Sequence, residues 1–194
     1  MDPKLSIRFF KQTEIGYCHP ACVKMVIDYA IDVLGVDQRR LSISKIAKVL
    51  GTHRFSGTPP GAIEKINSLL SESIPRIQFK SQLSGRFEDI KREIDEGKPV
   101  IAWINISPNE EDIIMHAVVV VGYDEEKKEI YYVDPEMTAE NHEKRIEIGD
   151  FIDNKLGVRG HLVKLIITER GQIDLMGRIV SSRRRRRGKW RLKK

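Results

Sequence analysis

The apolar residues of this 194-residue chain change their spacing near its middle, and this change limits the folds open to it. In the first half they recur every three or four residues, which predicts amphipathic helices. In the second half, short runs rich in Val, Ile and Tyr indicate strands. Helices followed by a mostly antiparallel sheet form an α+β pattern. We expect one domain over residues 1–180 and a disordered polybasic tail over residues 181–194.

The predicted elements keep to that order along the chain. Helices are expected at Pro20–Leu34, Ser42–Leu50, Thr58–Ser71 and Gly85–Glu96. Ser42 and Thr58 are the expected helix caps, because their hydroxyls can accept from free N–H groups of the first turn. Strands are expected at Lys4–Phe10, Arg76–Lys80, Pro99–Ile106, Ile114–Tyr123, Glu129–Asp134, His161–Thr168 and Gln172–Val180.

The distribution of apolar residues argues against a membrane span. The longest unbroken apolar runs, Val100–Ile104 and Ala117–Val121, have five residues each, whereas a spanning helix needs about 20. The N-terminal stretch has no apolar segment long enough for a secretory signal. We therefore expect a cytoplasmic protein, unless a signal has already been removed.

The chain has two cysteines, Cys18 and Cys22, separated by one helical turn. In a cytosolic protein, few and closely spaced cysteines suggest catalysis or metal binding rather than a disulfide scaffold. Zinc is an alternative, but no second Cys or His pair follows at ligand spacing. We expect no cofactor.

Cys18 lies directly before the predicted helix Pro20–Leu34. The unpaired N–H groups and the positive dipole end of a helix N-terminus favour a thiolate over a thiol. Since the thiolate is the attacking species, such a site suits a nucleophile. The alternative is that Cys18 is a small buried apolar residue.

His116 interrupts a hydrophobic strand, so its imidazole needs a hydrogen-bond partner. If Ile114–Tyr123 and Glu129–Asp134 form a hairpin whose paired residue numbers sum to about 251, His116 faces position 135 and Asp134 is its neighbour. An Asp beside a His fixes its tautomer and stabilises the imidazolium. The alternative for His116 is a core histidine bonded to a backbone carbonyl. The alternative for Asp134 is that Asp134-Pro135 simply starts a turn.

Gln12 precedes Cys18 by six residues. A side-chain amide directed at a developing oxyanion raises the rate about 10²–10³-fold. By itself, one Gln in a loop carries no information about function.

Taken together, these motifs resemble a known family. The stretch Gln12-Thr-Glu-Ile-Gly-Tyr-Cys18-His-Pro-Ala-Cys22 is similar to the nucleophile motif of double-glycine, or bacteriocin-processing, peptidases and their soluble relatives. His116-Ala-Val-Val-Val-Val-Gly-Tyr resembles the histidine strand of that family, and Tyr132-Val-Asp134-Pro its acid motif.

The resemblance implies a papain-like cysteine protease fold, in which a nucleophile helix in the N-terminal half packs on an antiparallel sheet. It implies a thiol-dependent peptidase in which Cys18 attacks, His116 acts as base, Asp134 orients it and Gln12 helps to form the oxyanion hole. The substrate would be a peptide or protein. Hydrolysis and transfer to an amine remain open, since both use the same acyl-enzyme.

His19 departs from the family pattern, which usually has Gly at that position. Its side chain would crowd the oxyanion hole or bring a second imidazole near the thiolate. A catalytically weak, peptidase-like binding module is therefore the alternative function. Cys22 is interpreted as a packing residue, with a redox partnership with Cys18 as the other option, and His53, His142 and His161 as surface or structural residues.

The segment Arg183–Lys194 has six Arg, three Lys and no acid. Without it, the net charge of +6 becomes −3. Such arms bind phosphate backbones by counterion release, and Trp190 would stack on a base. Nucleic acid is one predicted partner, with an acidic protein, a membrane surface, or a solubilising or targeting role as alternatives.

Overall fold

A computed structural model describes residues 3–35, 40–109, 112–156 and 160–168. Within these residues the helices are α1 Cys18–Leu34, α2 Ile43–Leu50, α3 Ile63–Ser73 and α4 Phe87–Asp95. The strands are β1 Ile77–Gln82, β2 Val100–Asn105, β3 Met115–Asp124, β4 Glu129–Val133, β5 Glu143–Glu147 and β6 Leu162–Ile167. A 3-10 turn, Ile15–Tyr17, leads into α1, and a π-helical segment, Asp150–Lys155, follows β5.

The described strands form one six-stranded sheet in the order β1-β6-β2-β3-β4-β5. All its pairings are antiparallel. The predicted α+β class is therefore confirmed, with a helical N-terminal half against an antiparallel sheet. No helix in the described part of the chain is long and apolar enough to cross a membrane.

Strand β3 is buried on both faces because helices cover both sides of the sheet. Successive side chains of a strand point to opposite faces. Ala117 and Val119 accordingly join the core cluster that contains α1, α2 and α3. Val118 and Val120 join a second cluster that contains α4. This explains why the β3 sequence is an unbroken apolar run rather than an alternating one.

Helix α1 is the central helix and carries the candidate nucleophile at its first residue. It is buried along most of its length, including Lys24 and Asp28. Lys24 Nζ lies 2.9 Å from Asp28 Oδ2, so the charges of these two side chains are paired one turn apart. The helix ends at Gly35, whose φ of 58° lies in the left-handed region that favours glycine.

The predicted cap of α2 is confirmed, whereas the predicted cap of α3 was wrong. Ser42 caps α2, its hydroxyl accepting from Lys45 N at 3.2 Å. Thr58 does not cap α3, which begins five residues later. The hydroxyl of Thr58 instead bonds that of Thr52 at 2.8 Å. The turn between Thr58 and α3 contains Gly61, whose φ of 71° is incompatible with a right-handed helix.

The predicted strand Lys4–Phe10 was wrong. Both edges of β3 are already paired, with β2 and β4. The segment reaches β3 only where the register shifts between Val120 and Gly122. There Leu5 N donates to Val121 O at 2.7 Å, and Lys4 forms an isolated bridge with Gly122. Strand β5 and the π-helical segment were not predicted, and the candidate strand Gln172–Val180 lies outside the described residues.

Candidate active site

A cavity of about 550 Å³ opens between the helical half and the sheet. Cys18 and Gln12 line it from the helical side, and His116 lines it from β3. The fold therefore brings three residues that are up to 104 positions apart in the sequence to one cavity. Asp134 lies behind His116, where it bonds the imidazole.

Cys18 is the first residue of α1 rather than the residue before the helix, and its side chain is nearly buried. The backbone N–H of a first helical residue has no acceptor within its own α-helix. The 3-10 turn Ile15–Tyr17 directly precedes Cys18 and leads the chain into α1.

His116 and Asp134 form a short, buried pair. His116 Nε2 lies 2.7 Å from Asp134 Oδ1, and the residues are 5% and 8% exposed. The predicted contact therefore forms, although the predicted register was wrong. At the turn Asp124 pairs with Glu129, two positions further along than expected, because the connection holds four residues. The β-bulge between Val120 and Gly122 takes back one position, so that Val119 pairs with Val133.

The charge state of the pair follows from competing effects. Burial lowers the pKa of His116, but hydrogen bonds with Asp134 and Cys18 outweigh it and raise the pKa to about 10. Burial raises the pKa of Asp134, yet hydrogen bonds from His116 and from Glu136 N bring the net pKa below its ordinary value. An imidazolium beside an ionised carboxylate is thus the favoured state at neutral pH.

Gln12 is held close to the acid of the pair. Its backbone N–H donates to Pro135 O at 2.8 Å. Its side-chain Nε2 donates to Ile15 O at 3.1 Å. An amide nitrogen carries two hydrogens, so one donor remains for another acceptor. Gln12 Oε1 is buried without a hydrogen-bond partner among the described residues.

Cys22 lies one turn below Cys18 and is fully buried. Its Sγ donates to Ala117 O at 3.3 Å, and burial raises the pKa of its thiol well above the ordinary value. Both cysteines are free thiols. Within the described residues, no group of three or more Cys, His, Asp or Glu side chains is arranged to hold a metal ion.

His19 faces the cavity but does not join the His116–Asp134 pair. Its ring is 3% exposed and lies 4.9 Å, centroid to centroid, from Trp103. Burial, with a smaller contribution from nearby His161, lowers the pKa of His19 to about 3, so it is neutral at pH 7. The ring of His161 is also close to Trp103, with ring centroids 6.0 Å apart and ring planes at 6°.

Three residues of the cavity region were missed in the sequence. Trp103 lies in β2, and Phe55 lies in the loop between α2 and α3. Gly16 allows that loop to approach the turn that leads into Cys18, since a Cβ at Gly16 would lie 2.4 Å from His53 O. Trp103 interrupts the aliphatic strand Val100–Ile104 and was a visible signal, whereas Phe55 and Gly16 have no local pattern.

His161 lines the cavity and bonds Ser81 Oγ at 2.7 Å, whereas the rings of His53 and His142 bond within their own loops. His53 Nδ1 accepts from Phe55 N at 3.3 Å within its own loop, and His142 Nδ1 bonds Ala139 O at 2.7 Å. The polybasic segment Arg183–Lys194 lies outside the described residues, so its nucleic-acid or acidic partner stays a prediction.

Fold and sequence comparisons agree on the class of protein, a cysteine-type peptidase with a papain-like fold. Residues 4–155 match the model of the Peptidase_C39 like family. The chain belongs to that family. No curated protein sequence shows a significant match to it.

Three solved structures share the fold at low sequence identity. A putative C39-like peptidase from Bacillus anthracis is 14% identical with a TM-score of 0.64, over 87% of this chain and 99% of that one. A double glycine motif protease from an AMS/PCAT transporter, solved in complex with the leader peptide, is 16% identical with a TM-score of 0.53, over 87% and 99%. Xylellain, a cysteine protease from Xylella fastidiosa, is 13% identical with a TM-score of 0.51, over 87% and 86%.

Proposed function

We propose that this protein hydrolyses a peptide bond through an acyl-enzyme formed on Cys18. The observation that carries the proposal is the buried His116–Asp134 hydrogen bond of 2.7 Å in the wall of the cavity that Cys18 lines. A nucleophile, a base and a group that orients the base are the parts that covalent catalysis by a thiol requires.

The hydrogen bond to Asp134 assigns a different task to each imidazole nitrogen. Since Nε2 of His116 is engaged with Asp134, Nδ1 is the nitrogen left to face Cys18. Transfer of the thiol proton to Nδ1 gives a thiolate and an imidazolium. The thiolate attacks the scissile carbonyl, and the imidazolium then protonates the departing amine as the C–N bond breaks.

The second half of the cycle reverses the role of His116. Neutral His116 takes a proton from water, the hydroxide attacks the thioester, and the Cys18 thiolate leaves as the carboxylic acid product forms. Asp134 stays ionised throughout, because its pKa is lowered by the hydrogen bonds it accepts. Its role is to hold the ring and to stabilise the imidazolium.

Two donors are available to the developing oxyanion. One is the backbone N–H of Cys18, which has no acceptor inside α1. The other is the second hydrogen of Gln12 Nε2, since the first is directed to Ile15 O. Donors fixed in advance stabilise the transition state without reorganisation.

A peptide is the substrate that best suits this site. One of the structural relatives is described as a double glycine motif protease in complex with the leader peptide. We extend the chemical class of that ligand, but not its sequence, to this protein. A cavity of about 550 Å³ is within the usual range of roughly 300–1,000 Å³ for ligand sites.

The test compares two cysteines on the same helix. Peptide mixtures are incubated with the wild type, Cys18→Ala and Cys22→Ala, and new peptide N-termini are counted by mass spectrometry. We expect Cys18→Ala to abolish cleavage and Cys22→Ala to retain it, because Cys22 is buried and bonded to Ala117 O. Iodoacetamide should label Cys18 at neutral pH faster than an ordinary thiol. Equal cleavage by wild type and Cys18→Ala would falsify the proposal.

A further inference from the structure

Exposed large apolar side chains are concentrated around the cavity. Six of the eight found among the described residues line it: Ile15, Phe55, Ile106, Ile113, Ile114 and Met115. The other two, Val33 and Leu83, lie elsewhere. Since apolar surface that remains in water is unfavourable, a cluster of this kind marks a surface that is covered during function.

The first part of the cluster belongs to the helical side, which carries Cys18. Ile15 and Phe55 are 76% and 63% exposed. Gly16 N donates to Arg54 O at 2.8 Å, which ties the two segments together. The Phe55 loop is itself closed by hydrogen bonds of 2.9 Å in both directions between His53 and Gly57. The backbone that carries Ile15 and Phe55 is therefore held in place by hydrogen bonds.

The second part belongs to the sheet side, directly before His116. Ile113 and Ile114 are 57% and 51% exposed, and Met115 is 38% exposed. Ile106 N donates to Ile114 O at 2.9 Å, and Asn105 Oδ1 accepts from Ile114 N at 3.0 Å. Apolar residues thus border the cavity on the side of the nucleophile and on the side of the base.

The rest of the cavity lining favours an uncharged occupant. Trp103 contributes an aromatic surface next to His19, whose lowered pKa keeps it neutral at pH 7. Among the described lining residues Glu136 is the one carboxylate and no Lys or Arg is present, while the imidazolium of His116 is already paired with Asp134. A charged side chain would lose its hydration there with few partners to replace it.

We propose that the cavity binds a bulky apolar side chain of the substrate, aliphatic or aromatic, close to the peptide bond that Cys18 attacks. The enzyme then prefers peptides with such a residue over peptides with glycine at that position, in contrast to a double-glycine substrate. Glycine would leave the apolar lining in water, whereas a large side chain removes it from water. The inference rests on the proposed function for the location of the scissile bond.

The first experiment uses the unmutated chain and its Cys18→Ala variant. Peptide mixtures with one position fixed as Phe, Leu, Glu, Lys or Gly, and the others randomised, are offered to both proteins. Cleavage by the wild type gives the preference around the scissile bond, and retention on Cys18→Ala gives binding without chemistry. We expect Phe and Leu mixtures to be cleaved and retained at least tenfold better than Gly, Glu or Lys mixtures.

The second experiment uses a control with the same exposure as one test residue. Ile113 and Leu83 are both 57% exposed, but only Ile113 lines the cavity. We expect Ile113→Ser and Phe55→Ser to raise KM for the Phe and Leu mixtures at least tenfold, and Leu83→Ser to leave it unchanged. Thermal unfolding of each variant reports on its fold, and iodoacetamide labelling of Cys18 reports on the nucleophile.

Failure of this inference and failure of the proposed function give different results. Retention of Phe and Leu mixtures without any cleavage would refute the peptidase proposal and support the apolar subsite. Cleavage with a preference for Gly, or with none, would overturn the subsite alone. Equal effects of Ile113→Ser and Leu83→Ser on KM would also overturn the subsite. So would the finding that the wild type is a dimer, that Ile113→Ser dissociates it, and that peptide binding does not change.

Discussion

Nε2 of His116 and Oδ1 of Asp134 lie 2.7 Å apart in a nearly dry environment. Burial alone would lower the pKa of the imidazole and leave it neutral, but the interactions with Asp134 and Cys18 reverse that outcome. Oδ1 of Asp134 also accepts from Glu136 N at 3.0 Å, so the carboxylate is held from its own chain as well. The ring of His116 is thereby fixed with Nδ1 free for Cys18.

Replacing Asp134 with Asn should separate orientation from charge. We expect kcat/KM to fall about 10²–10⁴-fold, the range for general acid–base catalysis. The pKa of His116, raised to about 10 in the wild type, should fall toward its ordinary value, because the charge that stabilises the imidazolium is lost. The alkaline limit of kcat/KM, which requires the imidazolium as the acid for the leaving amine, should therefore move to lower pH. The measurement is the pH dependence of labelling and of kcat/KM.

Asp124→Asn is the matched control for this change. Asp124 lies at the far end of the same hairpin, where it accepts from Lys127 N at 2.9 Å. Asparagine keeps a side-chain oxygen for that bond, so both pH profiles should stay in place. An alkaline limit that does not move in Asp134→Asn would show that Asp134 does not set the charge of His116.

Removing the donor of Gln12 should slow the chemistry without weakening substrate binding. We expect Gln12→Ala to lower kcat about 10²–10³-fold with little change in KM, as for loss of an oxyanion donor. Gln12→Glu keeps the size of the side chain and removes the N–H donor, so it should be as slow. Both variants keep the backbone bond from Gln12 N to Pro135 O. A raised KM with unchanged kcat would assign Gln12 to substrate binding instead.

The fold class, and which candidate residues meet, could be predicted because local patterns encode them. The apolar stripe of α1 and the hairpin of β3 and β4 bring Cys18, His116 and Asp134 into position. The β-bulge between Val120 and Gly122 could not be predicted, since it depends on the approach of a distant segment. A Cβ on Gly122 would lie 2.8 Å from Pro3 O, a contact that no local pattern reveals.

Strand β5 illustrates a second limit of the sequence. Its residues, Glu143–Glu147, are mostly charged and have low strand propensity. It is a strand because β4 offers a free edge, and the pairing of Ile130 with Ile146 lies along it. Phe55 and Ile113 likewise reach the cavity through tertiary contacts alone, so the apolar border was not visible before the fold was known.

His19 should make the protein sensitive to acid. Its pKa is lowered to about 3 in the folded state, against about 6.5 in an unfolded chain. Between those values the unfolded state binds more protons, so the free energy of unfolding decreases as pH falls. This one group changes the free energy of unfolding by up to about 1.4 kcal/mol per pH unit. Urea unfolding at several pH values between 3 and 7 measures it.

His19→Phe is the comparison for that measurement, since it keeps an aromatic ring against Trp103 without a titrating group. Asp89 and Asp134 also have lowered pKa values and destabilise the fold on acidification, but they are present in both proteins. The difference between the two pH profiles therefore isolates His19. If the free energy of unfolding depends on pH equally in both proteins, His19 binds a proton as readily in the folded state as in the unfolded state.

Gly16→Ala tests whether the close approach beside Cys18 supports activity. A Cβ at Gly16 would lie 2.4 Å from His53 O and 2.8 Å from Gly57 N, both backbone atoms that cannot rotate away. The loop must shift, at a cost of about 1–3 kcal/mol in the free energy of unfolding, as for overpacking. We also expect a lower kcat/KM, because the displaced loop carries Phe55 and the shifted turn leads into Cys18. Urea unfolding and peptide cleavage measure the two effects.

Gly149→Ala provides the control for adding a methyl group elsewhere. No atom lies within 4 Å of a Cβ at Gly149, and its φ of −57° suits alanine. Alanine there should leave activity unchanged and stabilise the fold by about 0.4–1 kcal/mol, through a smaller loss of chain entropy on folding. If Gly16→Ala behaves like Gly149→Ala in both assays, the Phe55 loop can move away freely. In that case a braced Phe55 loop is not required for the geometry around Cys18.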